Sequence, residues 1–525
     1  MLSIHPGTGL GSWPRRRARL SPDRLALRQD DRRLTYGQLA LRVEQLAAGL
    51  GALGVRRGDR VAYLGVNSIA VFETMFATQL LGAVFVPLNT RLSGTEIRYM
   101  LQDCGAAVLV HSSDTDELLR GCAPLPGGVR HVIALEPQTC PAGGLDYESQ
   151  FLSEERPPAA VDLDEPGVLL YTSGTTGRPK AAVLTHGNLT WNMVNQLAHT
   201  DVLSTDRALC ISPLFHCVGL SQITLPTLFK GGSVEPVPRF DPGAVLNLIG
   251  DRQATSFSAV PTMLKLMCEH PSWATARLDS LTCVIYGGSP VEERTAAAWM
   301  DRGVLLLQGY GMTEASPGVL MAVPAGAAEH RVSVGVPHFF TDVAALDVDG
   351  AALDADHDVE RVVPVSAAPR ELVVRGPNVF PGYWERPAET RDSFTGGDWF
   401  RTGDVVRTED DGWSYVVDRV KDLIISGGEN IYPAEVEARM VELDAVASCA
   451  VVATRDPRWG EVGVAFVVRR EGADLDEATL RTHLEQHLAR YKVPRRIEFV
   501  DALPRNATGK VLRGTLREQA ATVRQ

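Results

Sequence analysis

The sequence predicts an α/β protein: a large N-terminal domain of layered mixed and parallel sheets with flanking helices, a smaller β-rich subdomain, and a small α+β domain at the C-terminus. Three observations predict it. Between about residues 35 and 310, short β-rich runs alternate with helix-like segments. After about residue 330 the texture changes to shorter strands separated by turn signals. From about residue 419 the chain begins again with its own strands and helix, so the expected division is 1–418 and 419–525. Strand, helix, strand in repeated order argues for parallel sheets with helices on their faces.

The elements follow in order. Val61–Val66 reads as a strand, Ile69–Leu81 as a helix and Ala83–Val86 as a strand. Gly94–Gln102 is a helix with Ser93 as its cap, and Ala106–Val110 is the next strand. The rhythm recurs at Arg207–Ile211, Thr255–Val260, Cys283–Tyr286 and Val304–Leu307. Polar and glycine-rich segments follow several of these strands, and open α/β sheets bind ligands beyond the carboxyl ends of their strands, so these segments point at a shared crevice. Val343–Asp347, Glu371–Arg375 and Ser414–Val417 are the shorter strands, with Asp349-Gly350, Gly396-Gly397 and Asp411-Gly412 as turns. The last domain carries strands at Val446–Ala453, Val462–Val468 and Ile497–Val500 and a helix at Glu477–Leu488. Asp347 to Pro369, rich in Ala, Asp and Val, reads as a long exposed excursion.

Bulk properties narrow the function. The chain has 525 residues, 45% of them hydrophobic, enough for large buried cores in more than one domain. A formal net charge of −12 argues against a nucleic-acid partner. Arg15-Arg-Arg-Ala-Arg19 is the basic exception and reads as a solvated N-terminal arm. No apolar stretch approaches the about 20 residues needed to cross a bilayer, and neither a secretory signal nor a peroxisomal address is legible. Eight scattered cysteines without a Cys-x-x-Cys pair suggest reduced thiols in the cytoplasm.

Tyr171-Thr-Ser-Gly-Thr-Thr-Gly-Arg-Pro-Lys180 is the most informative stretch. Thr172, Ser173, Thr175 and Thr176 surround Gly174 and Gly177, Lys180 closes the run, and apolar segments lead in and out. Backbone N–H groups freed by glycine, several hydroxyls and one ammonium make a cradle whose natural guest is a polyphosphate. The spacing is not that of the common P-loop, since Lys180 stands three residues past Gly177. Alone, the run could be a solvated hairpin turn.

Further blocks occur downstream: Ser212-Pro-Leu-Phe-His216, Tyr286-Gly-Gly-Ser289, Gln308-Gly-Tyr-Gly-Met-Thr-Glu314, Arg401-Thr-Gly-Asp404, Asp418-Arg-Val-Lys-Asp422, Ser426-Gly-Gly-Glu429 and Pro504-Arg-Asn-Ala-Thr-Gly-Lys510. Together and in this order, from about Ser21 to Arg513, they resemble the adenylate-forming superfamily of acyl-CoA synthetases and their relatives. That resemblance implies a small β-barrel-like subdomain and a mobile C-terminal lid. It implies ATP, Mg²⁺ and coenzyme A as cofactors, and a two-step ligation through acyl-AMP. Thr172 to Lys180 would hold the β- and γ-phosphates. Glu314 would ligate Mg²⁺ and Thr313 would bond the α-phosphate. Tyr310 would offer its face to adenine, with Gly287, Gly288 and Ser289 opposite and Gly309 and Gly311 flanking the ring. Asp404 and Arg419 would reach the ribose. Lys510 would bridge two anions, the acid and the phosphoryl group, and stabilise the charge that builds between them. Lys421 would be the pivot of the lid, and Gly427 and Gly428 would let the pantetheine arm pass. His216 would lie between acyl pocket and α-phosphate.

The acid follows from what the pocket lacks. The resemblance implies that amino-acid-activating relatives grip the α-amine with an aspartate just after the Phe of this block. Here Phe215-His-Cys-Val-Gly-Leu220 has no acid there, and an unpaired buried ammonium is costly, which argues against an amino acid. The expected lining (His216, Val218, Gly219, Ala259, Val260, Gln308) is small and mostly apolar, favouring an aliphatic fatty acid first and an aryl acid next. Ala368-Pro-Arg-Glu-Leu372 departs from the family pattern, and the segment before it is longer than in typical relatives. The nearest competitor to a coenzyme A ligase is therefore an acyl-AMP ligase that loads a separate acyl carrier protein. A luciferase-type monooxygenase and a nucleotide sensor are the readings from other classes. Oligomeric state is open, a homodimer included.

Overall fold

The computed structural model describes residues 7–136, 138, 144–152, 160–172, 179–288, 291–346, 362–426, 429–505 and 511–522. The chain divides into two compact units, Met1–Val343 with Val374–Phe400 and Ala344–Val373 with Arg401–Gln525.

The first unit is built on two sheets. One has seven strands among the described residues, in the order Leu145–Asp146, His131–Ala134, Ala106–His111, Arg60–Leu64, Val84–Pro87, Pro166–Thr172, Lys180–Thr185. Its pairings are parallel up to the last, which is an antiparallel hairpin. Val61, Leu64, Phe85, Val86, Val108 and Leu109 are fully or almost fully buried, as expected of parallel strands covered on both faces. The helices between them are set by local chemistry. Ser93 accepts from the Glu96 amide while Glu96 reaches back to the Ser93 amide, a reciprocal cap that starts Gly94–Asp103. Thr35 and Gln38 do the same for Tyr36–Ala52.

The other sheet has nine strands among the described residues, with Arg207–Cys210, Ser256–Ala259, Cys283–Gly287 and Leu306–Gly311 parallel at its centre. Ala259 pairs with Tyr286, Tyr286 with Gln308 and Gly287 with Gly309, so these carboxyl ends lie side by side. Beneath them a core forms around Leu209, Phe257, Met267, Trp299 and Leu306. Gly318–Met321 runs antiparallel to Leu306–Gly311, and Val336–Pro337 pairs beyond it at the edge.

The basic run near the N-terminus corrects the expectation of a solvated arm. Trp13–Leu20 is a helix with Pro14 in its first turn. Arg15 pairs with Glu44, Arg16 donates to the Ser12 hydroxyl, and Arg17 donates to the Phe229 carbonyl. Distant acceptors fix the Arg15 and Arg17 guanidinium groups where the local pattern suggested water.

Val362–Val363, Asp342–Leu346, Arg370–Arg375, Trp399–Thr408 and Ser414–Arg419 follow one another across a further sheet. Residues 347–361, the greater part of the expected excursion, lie outside the described residues. The α+β portion is a hairpin of Val446–Asp456 and Gly460–Arg469 with Arg496–Phe499 parallel to the second arm. Alternation along these strands feeds two cores. Val451, Ala465 and Val467 pack with Val436, Met440, Leu480 and Leu484, while Val452, Val464 and Phe466 pack with Leu516 and Ala520. Among the described residues, no helix is long and apolar enough to cross a membrane. The seven cysteines among them are free.

Candidate functional site

Several expected residues gather at the carboxyl edge of the two sheets of the first unit. Thr172 and Lys180 face each other as the last pair of the antiparallel hairpin, and the Thr172 hydroxyl donates to the Lys180 carbonyl at 3.4 Å. Ser173, Gly174, Thr175, Thr176 and Gly177 lie outside the described residues. The Lys180 ammonium stands 3.6 Å from the centroid of the Tyr383 ring, over its face. Burial lowers its pKa, and the charges of Glu314 and Glu389 oppose that shift. The Tyr383 hydroxyl donates to Glu314 Oε1 at 2.8 Å. Burial raises the Tyr383 phenol, with the Glu314 charge adding to the effect, so it stays a donor at neutral pH.

Glu314 sits in a short 3₁₀ turn, Thr313–Ala315, that follows Leu306–Gly311 directly. The turn is braced from the other side of the chain. The Phe380 amide donates to the Glu314 carbonyl at 2.8 Å, and the Asn378 side chain donates to the Ala315 and Gly318 carbonyls at 3.0 and 2.7 Å. Gly311 must be glycine, because a Cβ there would stand 1.7 Å from the Pro317 carbonyl oxygen. At Gly288 φ is +90°, and a Cβ would meet no atom closer than 3.9 Å, so the backbone beside Gly287 is bare. Gly309 pairs with Gly287, Tyr310 pairs with Leu320, and Tyr310 is half-buried. Ser289 lies outside the described residues. Gln308 is buried and accepts from the Tyr286 hydroxyl at 2.9 Å, which places its amide in the sheet between two strands.

His216 follows the strand end Cys210 through Ser212 and Pro213. Its amide donates to the Pro213 carbonyl at 3.1 Å, and a π-helical turn, Val218–Gln222, begins two residues later. Single π turns are frequent at functional sites. Burial pushes the His216 imidazole down to about 4, with Arg91 acting in the same direction, so the ring is neutral at pH 7. Its Nε2 is buried and makes no hydrogen bond among the described residues. Next to it the Cys217 thiol, raised to about 11 by burial, lies 3.7 Å from the Thr313 hydroxyl. Cys217 is thus a buried neutral thiol, and it ties the His216 block to the Thr313 turn. Gly219 is small for a packing reason, since a Cβ there would stand 2.3 Å from the Pro213 carbonyl oxygen.

In the second unit, Asp404 and Arg419 are paired in register across Trp399–Thr408 and Ser414–Arg419. The Arg419 Nε stands 3.0 Å from Asp404 Oδ1. The Asp404 amide donates to the Thr402 hydroxyl at 3.1 Å, and that hydroxyl donates to the Leu372 carbonyl at 2.7 Å, while Arg401 pairs with Glu371. Asp418 Oδ2 accepts from the Ala434 amide at 2.8 Å in the first turn of Pro433–Val441. Asp422 takes charged contacts from Arg513 and Arg517. Lys421 lies in the short turn Val420–Asp422 between these two anchors. Gly427, Gly428 and Lys510 lie outside the described residues.

Tyr383 and Asn378 were not singled out from the sequence. Their partners are 69 and 63 residues away, so no local spacing reveals them. The available signal was an aromatic behind Pro381-Gly382 in a turn-rich stretch.

Residues 14–384 match the AMP-binding enzyme family, and residues 435–510 match the AMP-binding enzyme C-terminal domain. The chain is 48% identical to a feruloyl-CoA synthase of Amycolatopsis sp., over 97% of this chain and 99% of that one. It is 39% identical to an indoleacetate–CoA ligase of Aromatoleum aromaticum, over 98% of both. Among solved structures, a Bacillus subtilis o-succinylbenzoate CoA synthetase in complex with its acyl-adenylate intermediate superposes with a TM-score of 0.83 at 32% identity, covering 97% of this chain and 98% of that one. Two family domains in sequence, relatives matched over nearly the full length and a shared fold agree: the chain belongs to the AMP-binding enzyme family, the adenylate-forming superfamily that its motifs resemble.

Proposed function

We propose that this protein is an AMP-forming acid–thiol ligase that converts a carboxylic acid with an aromatic ring into its coenzyme A thioester. In the first step a carboxylate oxygen attacks the α-phosphorus of ATP. The bond to the bridging oxygen breaks and pyrophosphate leaves. In the second step the coenzyme A sulfur attacks the acyl carbon, the acyl–phosphate C–O bond breaks, AMP leaves and the thiol proton is released.

The observation that carries the reading is the convergence of Lys180, Glu314, Thr313 and neutral His216 at one edge of the first unit, beside bare glycine backbone. The donor set fits a magnesium nucleotide. Glu314 offers hard carboxylate oxygen, Lys180 and the hairpin offer cationic and N–H donors, and the uncovered Gly288 leaves room for a planar base. Bound Mg²⁺ would neutralise phosphate charge and so favour the departure of pyrophosphate. Lys180 would hold the β- and γ-phosphates with the Thr172–Gly177 loop. A neutral His216 can accept or donate one hydrogen bond without adding charge, which suits alignment of a carboxylate. Asp404 and Arg419 would take the two ribose hydroxyls. Lys510 would bridge acid and α-phosphate. Rotation about Lys421, dividing the chain into 1–418 and 419–525, would then bring Gly427 and Gly428 to the thiol channel.

The aromatic class is favoured by the relatives named for ferulate and indoleacetate, both acids with an arene. The aliphatic reading keeps one supporting observation, a Mycobacterium tuberculosis long-chain-fatty-acid–CoA ligase that is 34% identical over 98% of this chain and 99% of that one. Relatives named as coenzyme A ligases favour coenzyme A over a carrier protein as acceptor. The test is pyrophosphate release across hydroxycinnamic, arylacetic, benzoic and C6–C18 fatty acids, each with and without coenzyme A. Highest kcat/KM on an aryl acid supports the proposal, and preference for a fatty acid replaces it with the second reading.

A further inference from the structure

We propose that Tyr383 is a positioning residue that holds the phosphate-loop lysine and the metal-ligating carboxylate in one fixed relation, acting through its ring on Lys180 and through its hydroxyl on Glu314. The inference rests on the nucleotide-site reading above. One side chain makes both contacts: the ammonium lies 3.6 Å over the ring and the carboxylate oxygen 2.8 Å from the hydroxyl. A cation is attracted to an aromatic face, and a phenol hydroxyl donates well to an anion, so the two ends of Tyr383 are matched to opposite charges.

The side chain can do this because its backbone is fixed from several directions. The Trp384 amide donates to the Ala181 carbonyl at 2.9 Å, the Val183 amide donates to the Gly382 carbonyl at 3.1 Å, and Ala182 bridges Tyr383 antiparallel. The Tyr383 amide itself donates to the Thr390 hydroxyl at 3.0 Å. At Gly382 φ is +147°, and a Cβ would stand 2.4 Å from the Thr390 methyl, so only glycine lets the chain turn here. The ring packs edge-on to Phe380 at 4.8 Å, and Phe380 packs edge-on to Phe400 at 5.3 Å. Three residues before Tyr383, the Phe380 amide bonds the Glu314 carbonyl. Residues 376–384 are therefore a strap bonded at one end to the Glu314 turn and at the other to the strand that begins with Lys180. Hydrogen-bonded outer partners orient metal-ligating carboxylates and tune their affinity. Tyr383 supplies that partner to Oε1 and leaves the carboxylate plane set by a rigid phenol.

The test separates ring from hydroxyl. Tyr383→Phe keeps the face under Lys180 and removes the bond to Glu314, and Tyr383→Leu removes both. ATP binding is measured by calorimetry without any acid, so that no turnover occurs, in EDTA and across a Mg²⁺ series. Thermal melts confirm that both variants fold. Losing a hydrogen bond to a charged group predicts that Tyr383→Phe raises the Mg²⁺ concentration at half-effect about tenfold and leaves the metal-free ATP Kd within about twofold. Tyr383→Leu should in addition weaken metal-free ATP binding about fivefold, through Lys180. A Phe variant with an unchanged or lower Mg²⁺ midpoint overturns the role of the hydroxyl, and a Leu variant no worse than Phe in EDTA overturns that of the ring. Wild-type protein that binds no ATP under either condition overturns the nucleotide-site reading itself, an outcome distinct from both.

Discussion

The two units hold their candidate residues by different physics. In the first, Lys180, Thr313 and Glu314 are placed by backbone hydrogen bonds, close glycine contacts and aromatic packing, and the buried histidines nearby are neutral. In the second, the segment from Asp404 to Asp422 joins an antiparallel backbone ladder to a set of charged anchors. Asp404 pairs with Arg419, Asp418 accepts a helix-terminal amide, and Asp422 takes Arg513 and Arg517. Backbone and packing contacts give one arrangement and resist change. Charged partners on long side chains can be exchanged at small cost, particularly where they are part-exposed. Under the proposed pivot at Lys421, the exchangeable contacts are those of Asp418 and Asp422, which flank it.

Lys510→Ala makes the largest predicted difference. It should lower acyl-AMP formation about a thousandfold, the scale for loss of a charge-stabilising group in a transition state, while thioester formation from supplied acyl-AMP persists. Single-turnover assays of each half-reaction check this, and equal loss in both would erase the proposed division of labour.

Acid should open the units in a set order. His186, with its Nδ1 accepting from the Leu10 amide, and His216 are both pushed down to about 4 by burial, and His338 to about 3. Their folded pKa values lie below the ordinary 6.5, so the unfolded chain binds more protons between these limits. The first unit therefore loses stability as pH falls from about 6.5 to about 4. In the second unit, burial raises Asp418 and Glu437. There the folded chain binds more protons above the ordinary carboxylate range, and acidification relieves a cost. Hydrogen exchange read by mass spectrometry at pH 7 and pH 4.5 should show the first unit losing protection earlier. Earlier opening around Pro433–Val441 would break the contrast.

Arg513→Ala should destabilise the second unit by about 2 kcal/mol, below the range for fully buried pairs because the arginine keeps some exposure. It leaves Glu437, which also accepts from the Val451 amide, and Asp422 short of a cation. A denaturant midpoint unchanged from wild type would contradict the charge-based account. The smallest effect is expected for Arg419→Ala. The pair with Asp404 is part-exposed, so stability should fall by no more than about 1 kcal/mol, while AMP affinity falls several-fold. Chemical denaturation and calorimetry separate the two, and a large stability loss with unchanged AMP binding would make Arg419 structural.

Much of the architecture was legible because the signals were local. The helix at Ile69–Leu80, the cap at Ser93 and the strands of the last domain fall within a few residues of the expected bounds. The site motifs were equally local, whereas the direct pairing of Asp404 with Arg419 was not read from them. What escaped depends on distant partners. The Arg15–Arg19 helix is fixed by Glu44 and Phe229, and Tyr383 by residues on two other segments. Mixed sheets were expected, but which strands pair antiparallel was not read, because periodicity identifies a strand and not its neighbour. Gly219 illustrates the same limit: a missing side chain reads alike for pocket space and for a close carbonyl, and the fold assigns it to the carbonyl.

The central claim is tested most directly by mass spectrometry of a single reaction mixture. Purified protein, Mg-ATP and a hydroxycinnamic or arylacetic acid should yield the aryl acyl-AMP and pyrophosphate, and later addition of coenzyme A should convert that adenylate to the thioester and AMP. Absence of any adenylate across the acid panel, or an adenylate that coenzyme A leaves untouched, would contradict it.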